Sequence, residues 1–535
     1  MFKNFSFITV LILIGLLFTS NGVHAQETLP ICPHPAVEKL RQEILAANDT
    51  PGKDTIILRP CVYLFSEPYT TSDGLSTANA LPIIRDELVI RGNKAILRRN
   101  NLHGIPDFRL LETTATLSMN NLGIENGRFE DAGGGMLVRH ATIYLANIRW
   151  QDNTVTNYFG GGLSILHGEA NITNSQFIGN YAEHGGGGLD ASHSKIDIEN
   201  TLFINNEAGF SGGGLEVSHS ELHLSNSFIG NNLAAEYGGG VDASHSTVEI
   251  VTTAVMENES GHNSGGLDLS HSEITIVKSE ISNNIAAWRG GGLTITHSGF
   301  QVNDSTIANN LSERRGGGTV VQHSKGELNH TNITANLTTN DGGGLFAQHS
   351  TVAMDNSQFH GNLAAKGGGA YLQFVSGRMF NGLWLNNSAS EAGSALYVKN
   401  SSTENEAIDL RHLTLIGNNE ATELIYTDHA NFQLVNSIMM ESGIGIEGDG
   451  NGQTAVSHTL FYAVPTETVG PVNPINNLTT STNPLDATYH PTPWSPAIDY
   501  GLDVQVIEDI VGNPRPQGSG FDLGAYEQFV VISLP

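Results

Sequence analysis

The sequence predicts an all-β fold, a right-handed parallel β-helix solenoid with about 26 residues per coil, and three observations lead there. First, histidine returns at His140, His167, His193, His219, His245, His271, His297, His323 and His349, one step of 27 residues followed by seven of 26. Second, asparagine keeps the same steps at Asn153, Asn180, Asn206, Asn232, Asn258, Asn284, Asn310, Asn336 and Asn362. Third, short segments between these columns alternate apolar and polar residues, as in Ile196-Asp197-Ile198-Glu199, which is the period of a strand. Within the repeats no apolar 3.6 period is long enough for a helix. A leucine-rich repeat can share this length, but each unit here carries a triple glycine instead of one LxxLxLxxN signature.

Stacking at the strand spacing of ~4.8 Å gives each column a physical role. The bulky column Trp150, Phe177, Phe203 and Ile229, and the column Leu163, Leu189, Leu215 and Val241 after the glycines, face inward as a continuous core. An asparagine at a turn can bond to its copies above and below and satisfy buried backbone groups there. The glycines admit turn conformations closed to residues with a Cβ. Histidine sits at a turn between two strands with serine on both sides, as in Ser192-His193-Ser194. It reads as a ladder of stacked imidazoles where Gly or Asn is expected, with metal binding as the alternative. Asp190, Glu216, Asp242 and Asp268 each follow the inward Leu or Val by one residue, so they are expected to point outward. Carboxylates stacked ~5 Å apart repel. Either calcium relieves this through oxygen ligands or water screens a solvated acidic face.

The ends differ from the repeats. Residues 1–25 read as a signal peptide, with Lys3 before the apolar run Ile8 to Phe18 and the small-x-small site Val23-His24-Ala25. No later stretch reaches the ~18 apolar residues of a membrane span, so the mature chain is expected to have no transmembrane segment. It should be secreted or associated with the cell surface or outer membrane. Cys32 and Cys61 are the only cysteines in a chain bound for an oxidising compartment, which points to one disulfide. Residues 26–60 form the expected N-terminal cap. Pro35 opens a helix there whose Val37, Leu40, Ile44 and Ala47 share one face, making it amphipathic and able to plug the first coil. The β-helix is expected over 61–440, most regular at about 130–375, and 441–535 is read as a closing region. Within that region 441–480, rich in Gly, Asn, Thr and Pro, reads as irregular.

These residues resemble secreted bacterial right-handed β-helix proteins of the pectate-lyase-like superfamily. Leu40-Arg41-Gln42-Glu43-Ile44-Leu45-Ala46-Ala47-Asn48 followed by Pro51-Gly52-Lys53-Asp54-Thr55-Ile56 resembles a CSLREA-type cap, although Glu38-Lys39 stand at the named Cys-Ser positions. The Gly-Gly-Gly-Leu runs with Phe177-x-x-Asn180, Phe203-x-x-Asn206 and Phe359-x-x-Asn362 are similar to repeats of chlamydial polymorphic outer-membrane proteins. Ser495-Pro496-Ala497-Ile498-Asp499, Asp509-x-x-Gly512-Asn513-Pro514-Arg515-Pro516 and Asp522-Leu523-Gly524-Ala525-Tyr526-Glu527 resemble a choice-of-anchor Q domain. That family usually places a sorting tail after this motif, whereas only Gln528 to Pro535 follow here.

Charge and motifs narrow the function classes. A net charge of −29, from 25 basic against 54 acidic residues, argues against nucleic acid and acidic lipid surfaces as partners. Two cysteines leave no zinc-thiolate cluster. The resemblance implies that a lyase would need clustered acidic calcium ligands beside a basic residue, and a hydrolase would need three converging carboxylates in Asn-Thr-Asp and Asp-Asp motifs. Neither dipeptide pattern is present. The expected function is therefore that of an exported, non-catalytic surface, adhesive or structural protein with glycans or a cell surface as partner. No cofactor is required and calcium is the candidate ion. The alternative is a carbohydrate-active enzyme or polysaccharide-binding β-helix of the same fold.

Overall fold

The computed structural model describes residues 29–528 apart from 72, 73, 75, 76, 400–406, 418–421, 451 and 453. The predicted signal peptide lies outside the described residues. The chain forms an all-β, right-handed-type parallel β-solenoid of about 14 turns with about 26 residues per turn. Among the described residues three parallel sheets of 31, 15 and 11 strands run its length, here termed the long, second and third sheets.

One coil shows how the sequence makes the turns. Leu189–Ser192 lies in the second sheet, Lys195–Glu199 and Leu202–Ile204 in the long sheet, and Glu207–Ala208 in the third. Each corner between them is a left-handed residue: His193 at φ 52°, Asn200 at 51° and Asn205 at 56°. Asn and His tolerate that region better than most side chains. The glycine run closes the coil in two ways. Gly186 takes φ +64°, whereas Gly187 is needed for space: a Cβ there would lie 2.4 Å from the Glu207 carbonyl oxygen.

Inside, Leu189, Ile196, Ile198 and Phe203 are fully buried, as their alternation predicts. Phe177 and Phe203 stack at 4.6 Å in one continuous core that reaches from the N-terminal helix to Phe461 and Val464. Beside it runs the asparagine column. Asn206 Nδ2 donates to Asn232 Oδ1 at 2.9 Å, Asn232 Nδ2 to Asn258 Oδ1 at 2.9 Å, and Asn258 Nδ2 to Asn284 Oδ1 at 3.0 Å. The pattern extends from Asn153 through Asn310 and Asn336 to Asn362, which donates to Asn387.

The N-terminal end is closed. The helix His34–Asp49 buries Val37, Leu40, Ile44 and Ala47 against the first coils. Arg41 on the same face donates to the Ala80 carbonyl at 3.0 Å and the Glu67 carbonyl at 3.1 Å. Cys32 and Cys61 form a disulfide that ties the segment before the helix to the first coil. At the other end the coils run further than the composition suggests. Residues 441–480 are not irregular: Ile444–Asp449, Thr454–Ser457, Leu460–Tyr462 and the strands up to Leu478–Thr480 continue the sheets. Coils shorten there, from a step of 26 to 24 between Leu413 and Ser437 and 18 between Thr459 and Asn477, so the columns leave their register.

The final segment folds back on the outer face of the long sheet. Leu485, Ala497, Ile510, Leu523, Ala525 and Tyr526 pack there on Leu383, Ile416, Ile438 and Leu460. The three motif stretches meet in this dock. Arg515 pairs with Glu527 at 2.8 Å, both side chains fully buried, and donates to the Gly524 carbonyl at 2.8 Å. Asn436 receives the Leu502 amide at 2.9 Å and donates to the Leu502 carbonyl at 2.7 Å. His412 Nδ1 donates to the Asp522 carbonyl at 3.1 Å while its Nε2 accepts from Asn436. Burial, with the Arg515 charge nearby, holds this imidazole well below the ordinary histidine range, so it docks neutral.

Candidate functional site

Histidine occupies the left-handed corner between the second and long sheets on nine coils, with φ from 49° to 55°. All nine rings are exposed. Each stacks on the next at 4.8 to 5.1 Å, and every pair except His167–His193 lies within 10° of parallel. Phe374 extends the stack beyond His349. A second ladder fixes the corner from beneath. The Ser194 amide donates to Ser220 Oγ at 2.8 Å, Ser220 to Ser246 at 3.1 Å, and so on to Ser350. Ring faces cover one another, so ring edges meet solvent.

Three shallow open troughs, of about 530, 330 and 570 Å³, follow one another along this face from His140 to Phe374. Glu169, Lys195, Glu221, Glu273 and Lys325 line their floors, with Lys195 and Glu221 paired at 3.0 Å. His323 is lowered from the usual value by partial burial and by the charges of His297 and His349. In an NMR titration His323 should therefore turn over below ~6.5. Replacing His297 and His349 with asparagine should move it back up. An unmoved midpoint would show that stacked neighbours do not interact.

The acidic column is not where alternation places it. Asp190 and Asp268 are only 5% and 6% exposed, and Glu216 and Asp242 are half-buried. These side chains do leave the outer face of the second sheet, but the segment before each glycine run covers them. That segment pairs coil to coil through Gly185, Ser211, Tyr237, Asn263 and Arg289. It lies so close that a Cβ on Gly185 would collide with the Glu216 carboxylate. In register, Ser164 precedes the four acids, and Thr294, Val320, Phe346 and Tyr371 follow them. The column is thus a second dry strip, apolar in its C-terminal half.

Burial dominates the ionisation of these acids. It raises Asp190 to about 7, Asp242 to about 6, Asp268 to about 8, and Glu216 well above its usual value. Ser164 donates to Asp190 at 2.8 Å, while one oxygen of Glu216 and one of Asp268 have no partner. Protonation relieves the repulsion expected of this stack. Among the described residues no three His, Cys, Asp or Glu side chains converge so as to hold a metal ion.

One column escaped the sequence reading. Tyr158, His184, Phe210, Glu236, His262, Trp288 and Arg314 follow one another at 26-residue steps ahead of the glycine runs, and Tyr158, Phe210 and Trp288 are 50%, 48% and 42% exposed. The same 26-residue step would have revealed them, had the variable positions been read as a column too.

The sequence matches no family model and no curated protein. Among solved structures it is similar to a mutant tailspike protein of Escherichia coli bacteriophage HK620 in complex with a hexasaccharide. Identity is 10% and the TM-score 0.28, over 86% of this chain and 77% of that one. The chain is a parallel β-solenoid. Its ladders say so without that likeness. No helix among the described residues is long and apolar enough to cross a membrane.

Proposed function

We propose that the chain is an exported, non-catalytic solenoid that acts as a surface or adhesive protein by repeating one contact along an extended partner. The observation that carries this reading is the exposed histidine face, whose chemistry recurs coil after coil at 4.8 to 5.1 Å. Repetition favours a polymer over a small molecule, because many weak contacts on one rod combine as avidity. The Cys32–Cys61 disulfide supports an oxidising compartment. The CSLREA-like, outer-membrane-protein-like and choice-of-anchor Q-like stretches support a place at the cell surface, with residues 1–25 as the removed leader. In this reading the Arg515–Glu527 dock is a structural clasp along the outer face of the long sheet.

The test uses the purified full chain on immobilised cell-surface polysaccharides. Saturable retention should occur without release of new reducing ends or unsaturated products. Retention should weaken at least threefold in His219→Asn/His245→Asn/His271→Asn, since asparagine keeps the left-handed corner. Cleavage of any of these polymers, or retention indifferent to the histidine face, would overturn the proposal.

A further inference from the structure

We infer that the aromatic ridge at the third-sheet corner is a binding platform for an unbranched neutral polysaccharide of β-1,4-linked pyranoses. The inference rests on the non-catalytic reading above for its setting, but it concerns a different face.

The ridge differs from every other ring column of the molecule. Core rings such as Trp150, Phe177 and Phe203 have no exposed surface, and the histidines cover each other's faces. Ridge rings mostly do neither. Phe210 meets Tyr237 at 76°, Tyr237 meets His262 at 81°, and His262 meets Trp288 at 73°. An edge-to-face contact covers one face of one ring of the pair, and with Tyr158, Phe210 and Trp288 at 50%, 48% and 42% exposure part of each ring remains for a ligand. Arg314 lies over Trp288 at 5.0 Å and covers part of it.

Room is provided as well. The residue before each ridge position is Gly209, Ala235, Gly261 or Ala287 along the middle of the row, so no long side chain screens the rings there. A row of exposed rings beside a third sheet that also leaves Leu233, Ile285, Leu337 and Leu363 40–44% exposed marks an interaction surface.

The chemistry selects the occupant. Tyr158 and Phe210 are two coils apart and Phe210 and Trp288 three, with His184, Glu236 and His262 between them and Arg314 beyond, and these polar side chains can hydrogen-bond a sugar's rim. A pyranose has the matching character, with an apolar C–H face and a rim of hydroxyls. The row advances one position per coil, ~4.8 Å, which is close to the advance of one sugar in an extended β-1,4 chain. Charge decides between neutral and acidic chains. Glu183 and Glu313 border the row and Glu236 stands within it, opposed by Arg314 at its end and Arg289 and Arg315 beside it, and with −29 on the whole chain a neutral polymer is favoured over a polyanion.

Affinity electrophoresis of the full chain through gels containing soluble xylan or hydroxyethylcellulose tests this, with polygalacturonate as the acidic comparison. Retardation is expected in a neutral gel and not in polygalacturonate. Tyr158→Ala/Phe210→Ala/Trp288→Ala should weaken it at least tenfold. Trp494→Ala, which removes a 93% exposed ring remote in sequence from the ridge, should change nothing. Xylohexaose should shift tryptophan emission to the blue through Trp288, and Trp494→Ala should preserve that shift. No retardation in neutral gels, retardation kept by the triple variant, or equal retardation in polygalacturonate would each overturn the inference. So would a triple variant whose sole change, by sedimentation, is loss of self-association. Cleavage of the gel polymer would overturn the non-catalytic reading and leave the ridge assignment standing.

Discussion

Asp190→Asn is expected to stabilise the protein at pH 8.5 by about 2–4 kcal/mol and to change it by less than about 1 kcal/mol at pH 4. Asp190 is buried, and burial raises its carboxyl to about 7. Ionising it in place therefore costs about 4 kcal/mol relative to a free carboxylate. A raised folded value gives stability that is fully present below the unfolded value of ~3.9 and is lost as pH rises through the folded one. The loss should run from about pH 4 to pH 8, because it begins at the unfolded value and Asp242, Asp190 and Asp268 sit at about 6, 7 and 8 when folded. Asparagine keeps the shape and can still accept from Ser164 while carrying no charge. It also removes the Asp190 charge that helps to raise Glu216. Urea midpoints measured every half unit of pH for both proteins check this. Parallel curves would show that the column ionises freely. Acid acts with the opposite sign on His412, whose lowered folded value means stability is present above ~6.5 and lost as pH falls. These two limbs overlap between about pH 4 and pH 6.5, where four carboxyls outweigh one imidazole and stability should fall as pH rises.

The two limbs also show what was readable in advance. Period and alternation describe which side of a strand a residue leaves from, and on that they succeed: Ile196 and Ile198 are buried, and Glu199 is exposed. They do not describe what lies on the other side. Asp190 leaves the second sheet outward, yet the glycine-run segment of the solenoid closes over it, and no local pattern encodes that cover. The histidine corner was legible because His193 recurs as one letter, and Pro35 and the Val37 face mark the cap, whereas the corner at Asn200 passes to Thr252, Lys278 and Asp304 and went unread. The C-terminal coils were hidden for a different reason. Once coils shorten to 18 residues around Thr459 and Asn477, a fixed-step search loses them although strand pairing persists. The ridge was overlooked because its members vary in type. A column defined by exposure and position, such as Phe210 and Trp288, shows no repeated letter.

Asn232→Ala is expected to lower stability by about 3 kcal/mol, well beyond the ~1 kcal/mol of one ordinary hydrogen bond. The reason lies in how many groups share this side chain. Its Nδ2 donates to the Phe203 carbonyl and to Asn258 Oδ1, both at 2.9 Å. Its Oδ1 accepts from the Asn206 side chain at 2.9 Å and the Asn206 amide at 3.0 Å. All of this is buried, with Asn232 itself 1% exposed. Alanine leaves those four partners without water or protein to replace it, and each orphaned buried group carries a desolvation penalty of its own. Asn232→Asp should be no better, because it returns the acceptor but turns a carboxylate toward the Phe203 and Asn258 oxygens. Glu199→Ala, an exposed position, should stay within about 0.5 kcal/mol of wild type. Because each coil of a solenoid contacts its neighbours alone, the damage should also be local. Amide exchange should accelerate around Asn206, Asn232 and Asn258 and remain slow near Asn153 and Asn362. Equal losses from Asn232→Ala and Glu199→Ala, or acceleration spread evenly along the rod, would reduce the column to ordinary packing.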